Sequence, residues 1–202
     1  NEFQTYSAVL KRAGLKPQQF ERYRPWLAAV VVGLAYLHGG NLDSLRGADD
    51  DLMDYARAHG RPLAYLESVR DQMSLLVSGE ESDHIKALKS LILGLPRSRN
   101  QESELLAGWA AGDAEGFAAR LATYFRGHAE AEELLIDARN RNWLPAIEDF
   151  LARPAGGTAM ITVGAAHVGG PKGLIALLCH DGYPVERVRE RNAGENACGT
   201  ES

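Results

Sequence analysis

The chain has 202 residues, 45% of them apolar and 24% charged, the ordinary balance of one domain, or a domain and a half, with a sizeable core. Its 27 acidic and 22 basic residues are interspersed and leave a net charge of −5, which argues against a nucleic-acid binder with a basic stripe. Two cysteines exclude a disulfide-dense scaffold, and the longest apolar stretch, the twelve residues Trp26 to Leu37, falls short of the ~20 that a membrane-spanning helix needs.

The first half reads mainly as helix. Gln4 to Ala13 forms a short one stopped by Gly14. Pro17, in a favoured first-turn position, opens a longer helix in which Phe20, Tyr23, Trp26, Leu27, Val30, Val31, Leu34 and Leu37 recur at three-to-four spacing until Gly39-Gly40-Asn41. That spacing lays one broad apolar face. Asp49 to His59 is a further helix, closed by Gly60, and the acids Asp49-Asp50-Asp51 suit its positive N-terminal end. Arg61 to Glu67 is a short apolar run with the length of a buried strand, ending on a carboxylate. Ser68 then offers an N-cap for a helix from Val69 to Val77, and Glu80 to Leu93 continues as helix.

After a loop from Gly94 to Asn100 come three helices, Glu102–Ala111, Asp113–Phe125 and Ala129–Ala152, the first two separated by the break at Gly112-Asp113. The period then changes. Thr158 to Val163 is β-rich and bounded by glycine, as a buried strand would be. Gly164 to Gly173 forms a turn, Leu174 to His180 a helix, and Tyr183 to Val188 a last strand. The expected fold is therefore helix-rich α+β, with a small central, mostly parallel sheet and a C-terminal strand-loop-helix-strand unit. Residues 1–191 would form one domain and 192–202 a flexible tail. Cys179 is either a small buried hydrophobe or half of a bridge to Cys198 that ties down this tail in an exported protein.

In open sheets, sites form beyond the carboxyl ends of strands, and two of the expected strands end near chemically capable groups, Glu67 and His167. Gly164, Ala165 and Ala166 allow a sharp turn and close approach of a metal or substrate. Imidazole and carboxylate are companions on zinc or manganese, so the pair could be half of a metal site; a catalytic zinc uses about three protein ligands and a water. The plainer alternative is that His167 hydrogen-bonds a loop and Glu67 caps the next helix. Arg139-Asn140-Arg141-Asn142-Trp143 places a guanidinium and amides beside an aromatic. This set could hold a carboxylate or orient a loop by bidentate bonds, or could be the polar stripe of an amphipathic helix. Gly169-Gly170-Pro171-Lys172-Gly173 could cradle an anion on its amides or simply turn the chain. Glu81 with His84, and His128 with Glu132, fit solvated helix faces better than metal pairs; His38, His59 and His180 stand at helix ends.

Gly164-Ala165-Ala166-His167-Val168-x-Gly170-x-x-Gly173-Leu174 followed by Gly182-Tyr183-x-Val185, Asp137-x-Arg139-Asn140-x-x-Trp143, Leu66-Glu67-Ser68 with Gln72, and Gly47-Ala48-Asp49 with Ala56 and Gly60 together resemble the TraB/PrgY/GumN family. Arg24-Pro25-Trp26 and Trp109-x-x-Gly112-Asp113 fit its GumN-like branch. The match runs roughly from Tyr23 to Val188. The resemblance implies a metal-dependent hydrolase, peptidase-like and related to the TIKI proteases, with a divalent ion of the Zn, Mn or Co type. Carried over, His167 becomes a metal ligand, Glu67 a ligand or general base, and Arg139 a catalytic residue on the oxyanion or on a substrate carboxylate. Asn140, Gly164 and Gly170 would line the substrate site. The substrate would be a peptide or a small ester or amide, and the location periplasmic or otherwise exported.

The first Gly-x-x-His motif of that family has no counterpart here: His38 follows Ala35-Tyr36-Leu37. The expectation is that this motif and the sheet's first strands lie upstream of Asn1. The chain alone would then be inactive as a hydrolase. Two alternatives follow, a non-catalytic peptide-binding or regulatory module, and a partial domain that forms a homodimer through an exposed sheet edge.

Overall fold

A computed structural model describes residues 2–37, 47–97, 99–127, 129–153, 157–189, 192–196 and 198. The chain divides into two compact units, residues 1–100 and 101–202.

The first unit is helical. Its helices are α1 (Glu2–Arg12), α2 (Pro25–Leu37), α3 (Ala48–Ala58), α4 (Val69–Val77) and α5 (Glu81–Gly94). Val9, Leu10 and Ala13 at the end of α1, Val32, Ala35 and Tyr36 of α2, and Ile92 and Leu95 at the end of α5 form one buried cluster. The helix ends follow from local chemistry. Gly14 has φ of 66°, a left-handed conformation that costs glycine nothing, and it lets Leu15 N–H reach Leu10 O at 2.9 Å and Gly14 N–H reach Lys11 O at 3.2 Å, the paired closure of a Schellman end. The same two-bond pattern stops α3 at Gly60. Ser68 caps α4 as its sequence position implies: Asp71 N–H donates to Ser68 Oγ at 3.1 Å, and Ser68 N–H donates to Asp71 Oδ2 at 3.0 Å.

The helix expected to run from Pro17 to Leu37 is instead two pieces, a 3-10 turn at Pro17–Phe20 and then α2 from Pro25. Pro25 explains the break. It disfavours helical backbone at the residue before it, and at a first helical position its missing N–H costs nothing.

The second unit contains nearly all of α6 (Arg99–Ala110), then α7 (Ala114–Tyr124), α8 (Ala129–Glu132), α9 (Ala138–Leu151) and α10 (Leu174–His180). Asp113 caps α7 by accepting from Gly116 N–H at 2.9 Å. Between α8 and α9 lies a π-helical turn, Glu133–Asp137, closed by Ala138 N–H donating to Glu133 O; an uninterrupted α-helix was expected there. Two short strands, β1 (Glu186–Arg189) and β2 (Asn192–Asn196), pair antiparallel. A disulfide joins Cys179 of α10 to Cys198, with the two Cα atoms 5.4 Å apart. Among the described residues no helix is long and apolar enough to cross a membrane.

The α+β expectation is overturned: the structure is helix-rich, and no central parallel sheet exists among the described residues. Residues 61–66 and 157–163 are non-helical and make no ladder, and Tyr65 and Met160 are 71% and 74% exposed. The reason is that β-propensity measures fit to a neighbouring strand and a half-buried surface. Apolar, β-branched composition makes these runs able to pair, but no described segment supplies the partner. Tyr183–Val188, also expected as a strand, does yield β1, because β2 follows closely enough in sequence to pair with it.

Met160→Ser is accordingly expected to change stability by less than about 0.5 kcal/mol, whereas Ile92→Ala in the α1–α2–α5 core costs roughly 2–5 kcal/mol; urea midpoints of the full chain compare the two. Acid should act through the helix caps. The Gly116 N–H bond, helped by Arg120, holds the Asp113 carboxyl below its ordinary value. A lowered folded-state value contributes stability that is present in full above the ordinary titration near pH 4 and is lost as pH falls through the lowered value. Asp113→Asn should therefore weaken the fold near neutrality and flatten its acid dependence below about pH 4, read from thermal melts by circular dichroism.

Candidate functional site

The chemistry-bearing residues of the second unit converge where α9 meets the turn before α10. The turn is held by its own backbone. His167 N–H donates to Gly164 O at 2.9 Å, Gly173 N–H to Gly170 O at 3.0 Å, and Ile175 N–H to Val168 O at 3.2 Å. Two glycines are required sterically: a Cβ on Gly169 would lie 2.3 Å from Ala114 O, and one on Gly173 would lie 2.2 Å from Gly169 O. Residues 165–167 make one 3-10 turn that delivers His167 inward, 5% exposed.

Both ring nitrogens of His167 are engaged. Nδ1 is 2.8 Å from Asn140 Oδ1, and Nε2 is 3.1 Å from an Arg139 guanidinium nitrogen. The proton positions follow from what each partner can do. Lys172 O can only accept, so Asn140 turns its Nδ2 toward it, at 2.9 Å. Asn140 Oδ1 then faces the ring and can only accept, so Nδ1 carries the hydrogen. The guanidinium can only donate, so Nε2 accepts. The set fits a neutral imidazole with its proton on Nδ1. Trp143 closes one side, its ring centroid 4.5 Å from that of His167, and Arg139 lies 4.8 Å over the same indole. Arg139 also donates to Leu135 O at 3.0 Å. Asn140, at 0% exposure, is the most deeply buried polar residue of the set.

A second layer of charge surrounds these contacts. Lys172 Nζ donates to the buried Asp137 Oδ2 at 2.5 Å and lies 4.0 Å from Glu133 Oε2. Glu133 in turn pairs with Arg141. The bond to Asp137, and then its charge, hold the Lys172 ammonium above the usual lysine range. The Arg141 hydrogen bond holds Glu133 below the usual carboxylate range. Asp137 closes the π-helical turn, and such turns are frequent at functional sites.

The structure thus brings together Arg139, Asn140, Gly164 and His167. Gly170 belongs to the same turn, with φ of 85°, but its N–H points at the Glu115 carboxylate, 3.1 Å from each oxygen; the anion at this turn is a side chain of the protein itself. Glu67 lies in the first unit, half-buried, just before the Ser68 cap. Trp143 is the aromatic that the sequence sets beside Arg139, whereas sequence reasoning missed the parts played by Asp137 and Lys172. Their signal was present in the Asp137-x-Arg139-Asn140-x-x-Trp143 spacing and in the one cation of a glycine-rich turn. The weaker histidines have ordinary surroundings: His59 stacks on Tyr55, His84 bonds Ser78 O at 2.7 Å, and His180 bonds Asp181 at 2.9 Å. Glu81 pairs with Arg24 at 3.1 Å. His38 and His128 lie outside the described residues.

The metal implied by the resemblance can be tested against this geometry. Among the described residues no group of three or more His, Cys, Asp or Glu side chains gathers as a ligand set. His167 Nε2, the nitrogen a metal would use, faces a guanidinium whose charge opposes a cation. In the arrangement described, the residues around His167 do not fit a divalent ion.

Asn140→Leu should leave both the His167 Nδ1–H and the Lys172 carbonyl unpaired, at a cost of roughly 1–3 kcal/mol for each group. The exposed neighbour change Asn142→Leu should stay within about 0.5 kcal/mol. Denaturant unfolding of the two variants checks the difference.

No curated protein and no solved structure matches the chain. The model of the TraB/PrgY/gumN family matches residues 1–187, a span that includes every residue of the site, and the chain belongs to the TraB/PrgY/gumN family.

Proposed function

We propose that this family member binds a peptide or a related carboxylate-bearing ligand at the Arg139–His167 pair and acts as a binding or regulatory module. One observation carries the proposal: the Arg139 guanidinium, lying over the Trp143 indole, donates to His167 Nε2. The group that dominates the site is therefore a cation on an aromatic platform. Guanidinium recognises carboxylate with charge-assisted bonds, and a neutral imidazole beside it adds no competing charge. The Cys179–Cys198 disulfide supports an exported location, since such bonds persist in oxidising compartments.

A second reading has an observation of its own. Donation of His167 Nδ1–H to Asn140 is the kind of outer hydrogen bond that orients metal-binding histidines, leaving Nε2 for coordination. A hydrolase of the GumN-like, TIKI-related kind, cleaving a peptide or a small amide or ester, would use His167 as a ligand and Arg139 on the substrate. Arg139 would first have to leave Nε2.

Two measurements on the full chain separate the readings. Under the binding proposal, calorimetric titration with short peptides bearing a free C-terminal carboxylate shows binding that persists in excess EDTA. Arg139→Gln weakens it roughly 10- to 100-fold, the loss of one charge-assisted contact. Elemental mass spectrometry then finds no stoichiometric metal. About one metal per chain, lost in His167→Ala, with EDTA-sensitive peptide hydrolysis, would replace the binding proposal with the hydrolase.

A further inference from the structure

We infer that Asp137 and Lys172 are positioning residues for His167: their ion pair holds the Lys172 carbonyl against Asn140 and so selects which nitrogen of the imidazole carries the proton. The inference deepens the binding proposal, on which its relevance to a ligand rests, but its geometry stands independently.

Lys172 grips α9 and the π turn at two points. Its ammonium meets Asp137 Oδ2 at 2.5 Å, and its backbone carbonyl accepts from Asn140 Nδ2 at 2.9 Å. Asp137 and Asn140 are three residues apart, so successive parts of one helical face hold the two ends of a single residue. Asp137 is buried, where a carboxylate requires a partner. Lys172 is 61% exposed at its side chain, so packing does not fix it and the ion pair does. The carbonyl in turn lies between Gly170 and Gly173, in a turn whose own backbone bonds bracket it without holding it.

From that carbonyl onward each contact has only one possible polarity. A carbonyl accepts, so the amide NH2 faces it; the amide oxygen accepts, so the ring donates from Nδ1; Nε2 is left with its lone pair toward Arg139. If Asn140 turned over, the same ring would present Nε2–H to a guanidinium that can only donate, and the Arg139 contact would be lost. The Asp137–Lys172 pair thus reaches the nitrogen that faces Arg139 without touching it, across a chain of three hydrogen bonds.

The test is the 15N spectrum of the His167 ring in the ligand-free full chain, at a pH above the ordinary imidazole range. The expected wild-type result is the Nδ1–H tautomer, with Nε2 resonating as an unprotonated ring nitrogen. In Asp137→Asn and Lys172→Met the ratio should move roughly fivefold or more toward Nε2–H, the effect of weakening about one hydrogen bond, and Lys172→Arg, which keeps the ion pair, should restore it. Should a single variant leave an unpaired charge that prevents folding, the double variant Asp137→Asn with Lys172→Met carries neither charge and should show the same shift. A wild-type ring protonated at Nε2, or folded variants that keep a pure Nδ1–H ring, would overturn the inference. A purely structural ion pair would lower the melting temperature and leave the tautomer where it is. Since no ligand is present, failure of peptide binding in the wild type counts against the binding proposal alone.

Discussion

The buried amide of Asn140 is the contact on which the rest of the site depends. It is fully shielded from solvent, so both its ends must be satisfied inside the protein. One end takes the Lys172 carbonyl and the other takes the His167 ring. A helix and a glycine-rich turn are thereby locked to each other through a single side chain, and the state of the imidazole follows from that lock. The glycines at 169 and 173 serve the same end, because only a chain without Cβ atoms can lie this close to α7 and to itself.

This arrangement bears on how a site of this family can be built. An imidazole oriented by an amide on one side is ready to use its other nitrogen, and in this chain that nitrogen is used by a guanidinium. Arg139 is held in turn by the Leu135 carbonyl and the Trp143 face. A metal ion would need the same Nε2 lone pair that the guanidinium occupies, so the resting place of Arg139 decides whether that nitrogen is open. The charged layer of Glu133, Asp137, Arg141 and Lys172 keeps the local balance near neutral around it.

The helical half of the fold was legible because its signals are local. Gly14, Gly60, Gly112 and Ser68 end or begin helices through bonds to residues a few positions away. The same locality explains why the site motif could be found: His167 follows small residues, and Asn140 and Trp143 share one face of a helix with Asp137. What failed was the sheet. Residues 61–66 and 157–163 have strand composition, yet a strand exists only with its partner. The π turn was equally invisible, since it shifts the register by one residue with no glycine or proline to announce it.

The sequence by itself therefore determined the helix ends set by Gly14, Gly60, Gly112 and Ser68, the family and the identity of the chemistry-bearing residues, all of which depend on neighbours along the chain. Only the tertiary structure decided which groups meet. His167 sits against Asn140, Arg139 and Trp143, residues 24 to 28 positions away in the chain, and Lys172 against Asp137 across 35. Such contacts form only after the turn has folded back on the helix, and the protonation of the ring is fixed by donors and acceptors that spacing along the chain does not reveal.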